Sequence, residues 1–174
     1  LALAFVLFFI YKHERETGNA AQMLFEQNYP LFKSLNINFH LGVDGISIAM
    51  ILLTAFVVVA GVLVSWHIEK MTKEFYFLLL LLGMGAYGFF ISLDLFILFF
   101  FLEISVIPKY LLIGIWGSGK KEYSANKLAL MLMGGSALIL VGILGLYFAA
   151  GRSFDIMELS KATVSLSYQQ ILFP

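Results

Sequence analysis

The chain has 174 residues, 61% hydrophobic and only 13% charged, with a mean hydropathy of +0.93. A soluble domain carries about a quarter charged residues, so this composition belongs to an integral membrane protein. Eleven Lys and Arg balance eleven Asp and Glu, which leaves no basic footprint for nucleic acid, and the absence of cysteine excludes disulfides, thiolate metal sites and cysteine-bound iron–sulfur clusters.

Residues 1–11, LALAFVLFFIY, span about half a bilayer and lack the basic n-region and cleavage pattern of a signal peptide. They read as the end of a membrane helix. Residues 12–43 form a polar segment in which Ile37, Phe39, Leu41 and Val43 alternate with Asn36, Asn38, His40 and Gly42. That period of two predicts a short strand on the membrane surface. Asp44 is placed to cap the next helix, because a carboxylate accepts from the free N–H groups of a first turn. A membrane span over 44–66 follows, then the loop HIEKMTKE, a second span over 75–93, a tight turn at Asp94 and a third span over 95–117. The loop GSGKKEYS leads to the last span, 126–150, whose Gly134, Gly135, Gly142 and Gly145 predict close approach of a neighbouring helix. Residues 151–174 are amphipathic, with Asp155 and Glu158 spaced as in a capped short helix. They close on YQQILFP, where a further apolar run begins.

The expected fold class is an all-α membrane protein with one partial and four complete transmembrane helices and a short extended segment. Lys70, Lys73, Lys120, Lys121 and Lys127 fall on one side, which the positive-inside rule makes cytoplasmic. The 12–43 and 151–174 segments then lie on the periplasmic side. The three histidines, His13, His40 and His67, stand outside the apolar runs, which argues against haem ligands at membrane depth.

Two motifs fail on context. GMGAYG, Gly83 to Gly88, matches a dinucleotide fingerprint by letters, yet lies inside an apolar span rather than between a strand and a helix; close helix packing accounts for it. GIWGSGKK, Gly114 to Lys121, nearly spells a phosphate-binding loop, but Lys121 stands where Ser or Thr must meet magnesium. No metal-ligand constellation is visible within the spans.

The costly residue is Glu103. An acidic side chain at the middle of a membrane helix costs roughly 2.5–3.5 kcal/mol on insertion scales, and such groups usually face a protein interior or a water path. The bland alternative is a protonated acid bonded across a helix interface. Tyr110 returns to the azimuth of Glu103 after seven residues, whereas Lys109 falls about 120° away. Lys109 is therefore read either as snorkelling to the cytoplasmic interface or as a charged step in a proton path. Pro108 lacks an N–H and clashes with the carbonyl of Ile104, which predicts a kink and makes water near Glu103 plausible.

HLGVDGISIAMILLT, FFFLEISVIPKYLLIGIWG and YSANKLALMLMGGSALILVGILGLYF together resemble the antiporter-like chain M (subunit 4) family of proton-pumping NADH:quinone oxidoreductases, over about 40–155. The resemblance implies an antiporter-like helix bundle, of which this chain covers the second to sixth helices, and a proton-translocating membrane subunit working through a Glu/Lys relay. Glu103 matches the family's fifth-helix glutamate, which is thought to pair with a lysine on the seventh helix, beyond Pro174. The family's division of labour implies that this chain holds no cofactor, while NADH, flavin, iron–sulfur clusters and quinone belong to partner subunits. Its expected partners are those other membrane subunits, neighbouring antiporter-like subunits among them, and the lipid bilayer, in a bacterial cell membrane or a mitochondrial or thylakoid one. Lys109 departs from the uncharged residue usual after the proline, so the family assigns it no role. The alternatives are a subunit of a multi-subunit cation/proton antiporter and a structural module joining neighbouring subunits.

Overall fold

The computed structural model describes residues 1–18, 21 and 23–162. The described residues form seven helices and one hairpin: α1 (Ala2–Glu16), β1 (Leu24–Phe32), β2 (Ile37–Val43), α2 (Gly45–Val64), α3 (Thr72–Ile91), α4 (Leu95–Ile104), α5 (Val106–Trp116), α6 (Lys121–Ala149) and α7 (Ile156–Leu159). The spans Gly45–Val64, Thr72–Ile91, Leu95–Trp116 and Lys121–Ala149 are long and apolar enough to cross a membrane. At 29 residues, α6 is about 43 Å long, well over the roughly 30 Å of a hydrocarbon core. The run YQQILFP lies outside the described residues.

Local chemistry sets the helix starts. The Asp44 carboxylate accepts from Ser47 N at 2.7 Å and starts α2, Asp94 accepts from Phe96 N and Ile97 N and starts α4, and Asp155 accepts from Met157 N and Glu158 N and starts α7. On the face bearing the short loops, Trp116 Nε1 donates to Lys70 O at 2.7 Å and Lys121 Nζ donates to Ile115 O at 2.9 Å, tying both loops to the end of α5.

Helix α3 stands centrally, against α2 on one side and α4 and α5 on the other, while α6 packs along α5. The motif GMGAYG serves this packing. A methyl group at Gly83 would stand 2.9 Å from Val58 Cγ2, one at Gly85 would stand 3.0 Å from Ser105 Cβ, and one at Gly88 would overlap the Phe101 ring. Three glycines of α6 behave otherwise: Gly134, Gly135 and Gly142 meet no atom within 4 Å, so at these three the expected close helix approach does not occur among the described residues.

Opposite the lysine-bearing loops the extended structure exceeds the single strand that alternation predicts. β1 pairs antiparallel with β2, with Tyr29 opposite Phe39 and Asn28 opposite His40. Nearly all of β1 is exposed, so it has no buried face to impose alternation. Two further segments extend the hydrogen bonding. Leu93 N donates to His40 O, Leu95 N to Phe154 O and Ile156 N to Leu93 O, each at 2.8–2.9 Å. The α3–α4 turn is thereby held between the hairpin and the stretch after α6. Beneath it lie Ile37, Ile97, Ile143, Tyr147 and Phe154, with the last two rings stacked at 4.3 Å.

Candidate functional site: a groove beside Glu103

The 95–116 span is interrupted at Ser105. Pro108 is the third residue of α5 and offers no N–H to Ile104, so the helical bonding changes one turn earlier. Ser105 N is shared between Phe101 O and Leu102 O at 3.3 and 3.2 Å, and Ser105 Oγ donates to Leu102 O at 2.7 Å. Ser105 and Pro108 are buried, and Ser105 lies where Gly85 of α3 allows a close approach. Pro108 thus acts on the α4–α5 junction, and Ser105, which periodicity does not single out, takes up the irregularity.

Glu103 lies two residues before that junction. Its side chain lines a groove of about 760 Å³ between α4, α5 and α6, walled by apolar residues such as Phe100, Ile107 and Met133. Besides Glu103 the polar wall residues are Tyr110 and Asn126. Glu103 Oε1 is buried and has no hydrogen-bond partner among the described residues. A buried acceptor left unpaired costs about 1–3 kcal/mol. The groove is wide enough for a donor from outside these helices.

Of the residues singled out in sequence, Glu103 and Tyr110 share this groove, and Pro108 and Lys109 do not line it. Lys109 is half-buried, and its Nζ donates to Ser105 Oγ at 3.1 Å. This corrects the snorkelling reading: the ammonium turns back one turn toward Ser105, away from the lysine-bearing end. Asn126 was missed, because it reads as the polar start of an apolar run. Also missed was a second polar cluster, in which His40 Nδ1 lies 2.6 Å from Asp155 Oδ2. Beside it Asp94 is completely buried. Burial pushes the Asp94 carboxyl above its ordinary range; bonds from Asn38, Ile97 and Phe96 N–H oppose the rise, and the Asp155 charge adds to it. Among the described residues no group of three or more His, Cys, Asp or Glu is arranged to hold a metal ion.

Residues 92–173 match the family model described as "NADH:quinone oxidoreductase/Mrp antiporter, TM". Over 98% of its length the chain superposes, with a TM-score of 0.82 and 22% identity, on 36% of a chain in the structure of respiratory complex I from Thermus thermophilus with bound NADH. It also matches 24% of a chain in the membrane-bound sulfane sulfur reductase, an archaeal respiratory membrane complex, with a TM-score of 0.68 and 21% identity. Residues 92–173 thus belong to the antiporter-like transmembrane family, and the fold of the chain is that of the helix bundle it superposes on.

Its curated relatives are more particular. Over 89% of its length the chain is 37% identical to NAD(P)H-quinone oxidoreductase chain 4, chloroplastic, of Angiopteris evecta, and over 84% it is 38% identical to the same chain of Mesostigma viride. It spans about a third of the length of these relatives.

Proposed function

We propose that this chain works as part of a proton-translocating subunit of an NADH:quinone oxidoreductase, and that Glu103 is its charge-carrying residue. The observation that carries the reading is that Glu103 lines a groove open to further helices while its buried Oε1 has no hydrogen-bond partner among the described residues. An intramembrane carboxylate with space beside it can change partners: a lysine brought into the groove stabilises its charged form, and withdrawal favours protonation. We infer that this lysine comes from a later helix of the same subunit, and that alternation of the pair moves a proton along a path that Tyr110 and Asn126 border. Tyr110 offers a hydroxyl and Asn126 an amide, both able to anchor water.

Redox chemistry belongs in this reading to partner subunits carrying NADH, flavin, iron–sulfur clusters and quinone. Coupling reaches Glu103 through neighbouring membrane subunits. The lysine-bearing loops face the cytoplasm of a bacterial cell, or the corresponding side of a thylakoid or mitochondrial membrane.

In the assembled complex, Glu103→Gln is expected to lower proton translocation strongly, and further than coupled quinone reduction, so that fewer protons move per quinone while the subunit stays in place. Proton uptake measured with a pH-sensitive dye in sealed vesicles, against quinone reduction followed in parallel, reads both. An unchanged ratio of protons to quinone overturns the role of Glu103. The family description also includes Mrp antiporters, which supports a second reading as a cation/proton antiporter subunit. That reading requires sodium-dependent proton exchange without NADH.

A further inference from the structure

We propose that His40 and Asp155 are positioning residues for Glu103: their buried contact fixes the start of α4, so the hairpin and the segment after α6 together set where Glu103 sits across the membrane. The proposal rests on the role of Glu103 given above.

The two side chains are 115 residues apart in sequence, each 10% exposed, and meet at 2.6 Å. In the tautomer that carries its proton on Nδ1, the imidazole donates to the Asp155 oxygen. Asp155 is itself held in place. Its other oxygen accepts from Met157 N at 2.7 Å and from Glu158 N at 3.4 Å, and its own N–H donates to Ser153 Oγ at 3.2 Å.

Between the partners runs the turn that opens α4. The backbone of His40 accepts from Leu93 N, and the residues flanking Asp155 exchange bonds with Leu93 and Leu95. Asp94, at the centre, spends one carboxylate oxygen on Phe96 N and Ile97 N and the other on Asn38 N, at 2.9–3.2 Å. The same side chain therefore caps α4 and ties it to the hairpin. Helix α4 then runs unbroken for ten residues, and Glu103 lies nine residues beyond Asp94, about 13 Å along the axis. Within that segment there is no joint at which a movement of the turn could be absorbed. The first irregularity is Ser105, past Glu103.

A tie required only for stability has no need of buried ionisable groups. Well-packed apolar residues of similar volume are often as stable as a buried ion pair, or more so. What the polar contact adds is a defined geometry between two surface elements and the helix under them, and a displacement of about 1 Å at a reacting group can cost a hundredfold in rate.

The test uses the intact membrane complex carrying His40→Leu, His40→Gln or Asp155→Asn, with amide hydrogen exchange and the ratio of protons moved to quinone reduced as readouts. His40→Leu is expected to speed exchange at Leu93, Leu95 and Ile156 about tenfold by local opening, and to lower the proton ratio toward that of Glu103→Gln. His40→Gln, whose amide can still donate to Asp155, restores both, and His40→Leu added to Glu103→Gln lowers the ratio no further. Faster exchange with an unchanged proton ratio would leave the pair a structural tie and overturn the proposal, as would unchanged exchange. Should His40→Leu fail to assemble, Asp155→Asn carries the same two readouts. A lowered ratio in Glu103→Gln beside a normal one in His40→Leu removes only the positioning role; a normal ratio in Glu103→Gln removes the function on which it rests.

Discussion

The packing of α3 against the α4–α5 junction can be tested with one methyl group. In Gly85→Ala the added Cβ would stand 3.0 Å from Ser105 Cβ, 3.2 Å from Phe101 O and 3.4 Å from Ser105 N. Two of these three atoms are backbone and cannot swing aside, so the helices must separate by a few tenths of an ångström. Overpacking of this kind typically costs about 1–3 kcal/mol. Against it stands the gain from replacing glycine by alanine inside a helix, about 1 kcal/mol, so the net change is a loss of up to about 2 kcal/mol. Gly134→Ala supplies the comparison. It makes the same substitution inside α6, where no atom lies within 4 Å, and should keep the helix gain of up to about 1 kcal/mol. Unfolding of the purified chain in mixed micelles, titrated with a denaturing detergent and followed by tryptophan fluorescence, compares the two directly. If both variants shift the midpoint in the same direction, the reasoning about the Gly85 contact is wrong.

Asp44→Ala removes the acceptor for Ser47 N and should cost about 1 kcal/mol of helix stability, read as a lower unfolding midpoint in the same assay. Burial pushes the Asp44 carboxyl up, but bonds from Ser47 and Ile46 outweigh it and leave the group below its ordinary 3.8. The advantage of the wild type over Asp44→Ala is therefore full above 3.8 and shrinks as the pH falls through the folded value. Asp94 has the opposite sign. Its carboxyl is raised above 3.8, chiefly by burial, so the advantage of the wild type over Asp94→Asn should be greatest near or below 3.8 and shrink as the pH rises through the folded value. Unfolding midpoints for the three proteins between pH 3 and 7 separate the two slopes; parallel curves would refute both assignments.

Much of this architecture is legible in the chain. The apolar runs are long and clean, and Asp44 and Asp155 each sit where a helix needs a cap, because capping is a contact over two or three residues; Asp94 reads in the sequence only as a tight turn, and its capping of α4 comes from the structure. Glu103 is legible for the same local reason: an acid inside such a run announces its own cost. The rest depends on residues far apart in sequence. Nothing near His40 points to Asp155, and nothing near Gly85 points to Ser105, since these contacts arise only when α3, α4 and the segment after α6 come together. The orientation of Lys109 was legible in part. Its azimuth takes it off the Glu103 face, whereas its bond to Ser105 depends on the junction that Pro108 creates.

In the role proposed for Glu103, these features would let it change partners without the surrounding helix moving. One end of α4 is fixed by Asp94 between the hairpin and the segment after α6. Near its other end, Phe101 and Ser105 press on the glycines of α3. The side of α4 that remains free is the one Glu103 occupies, toward the groove. Had the carboxylate faced α3, its rotation would have required the tightest contact in the bundle to open. On the groove side a rotation would move into the space between α4, α5 and α6, and in the proposed role its cost would be set by whichever charge enters that space. The rigid short helix and the open groove therefore act together, because a charge brought toward a fixed carboxylate changes the energy of the pair steeply with distance, whereas a helix free to retreat would blunt that change.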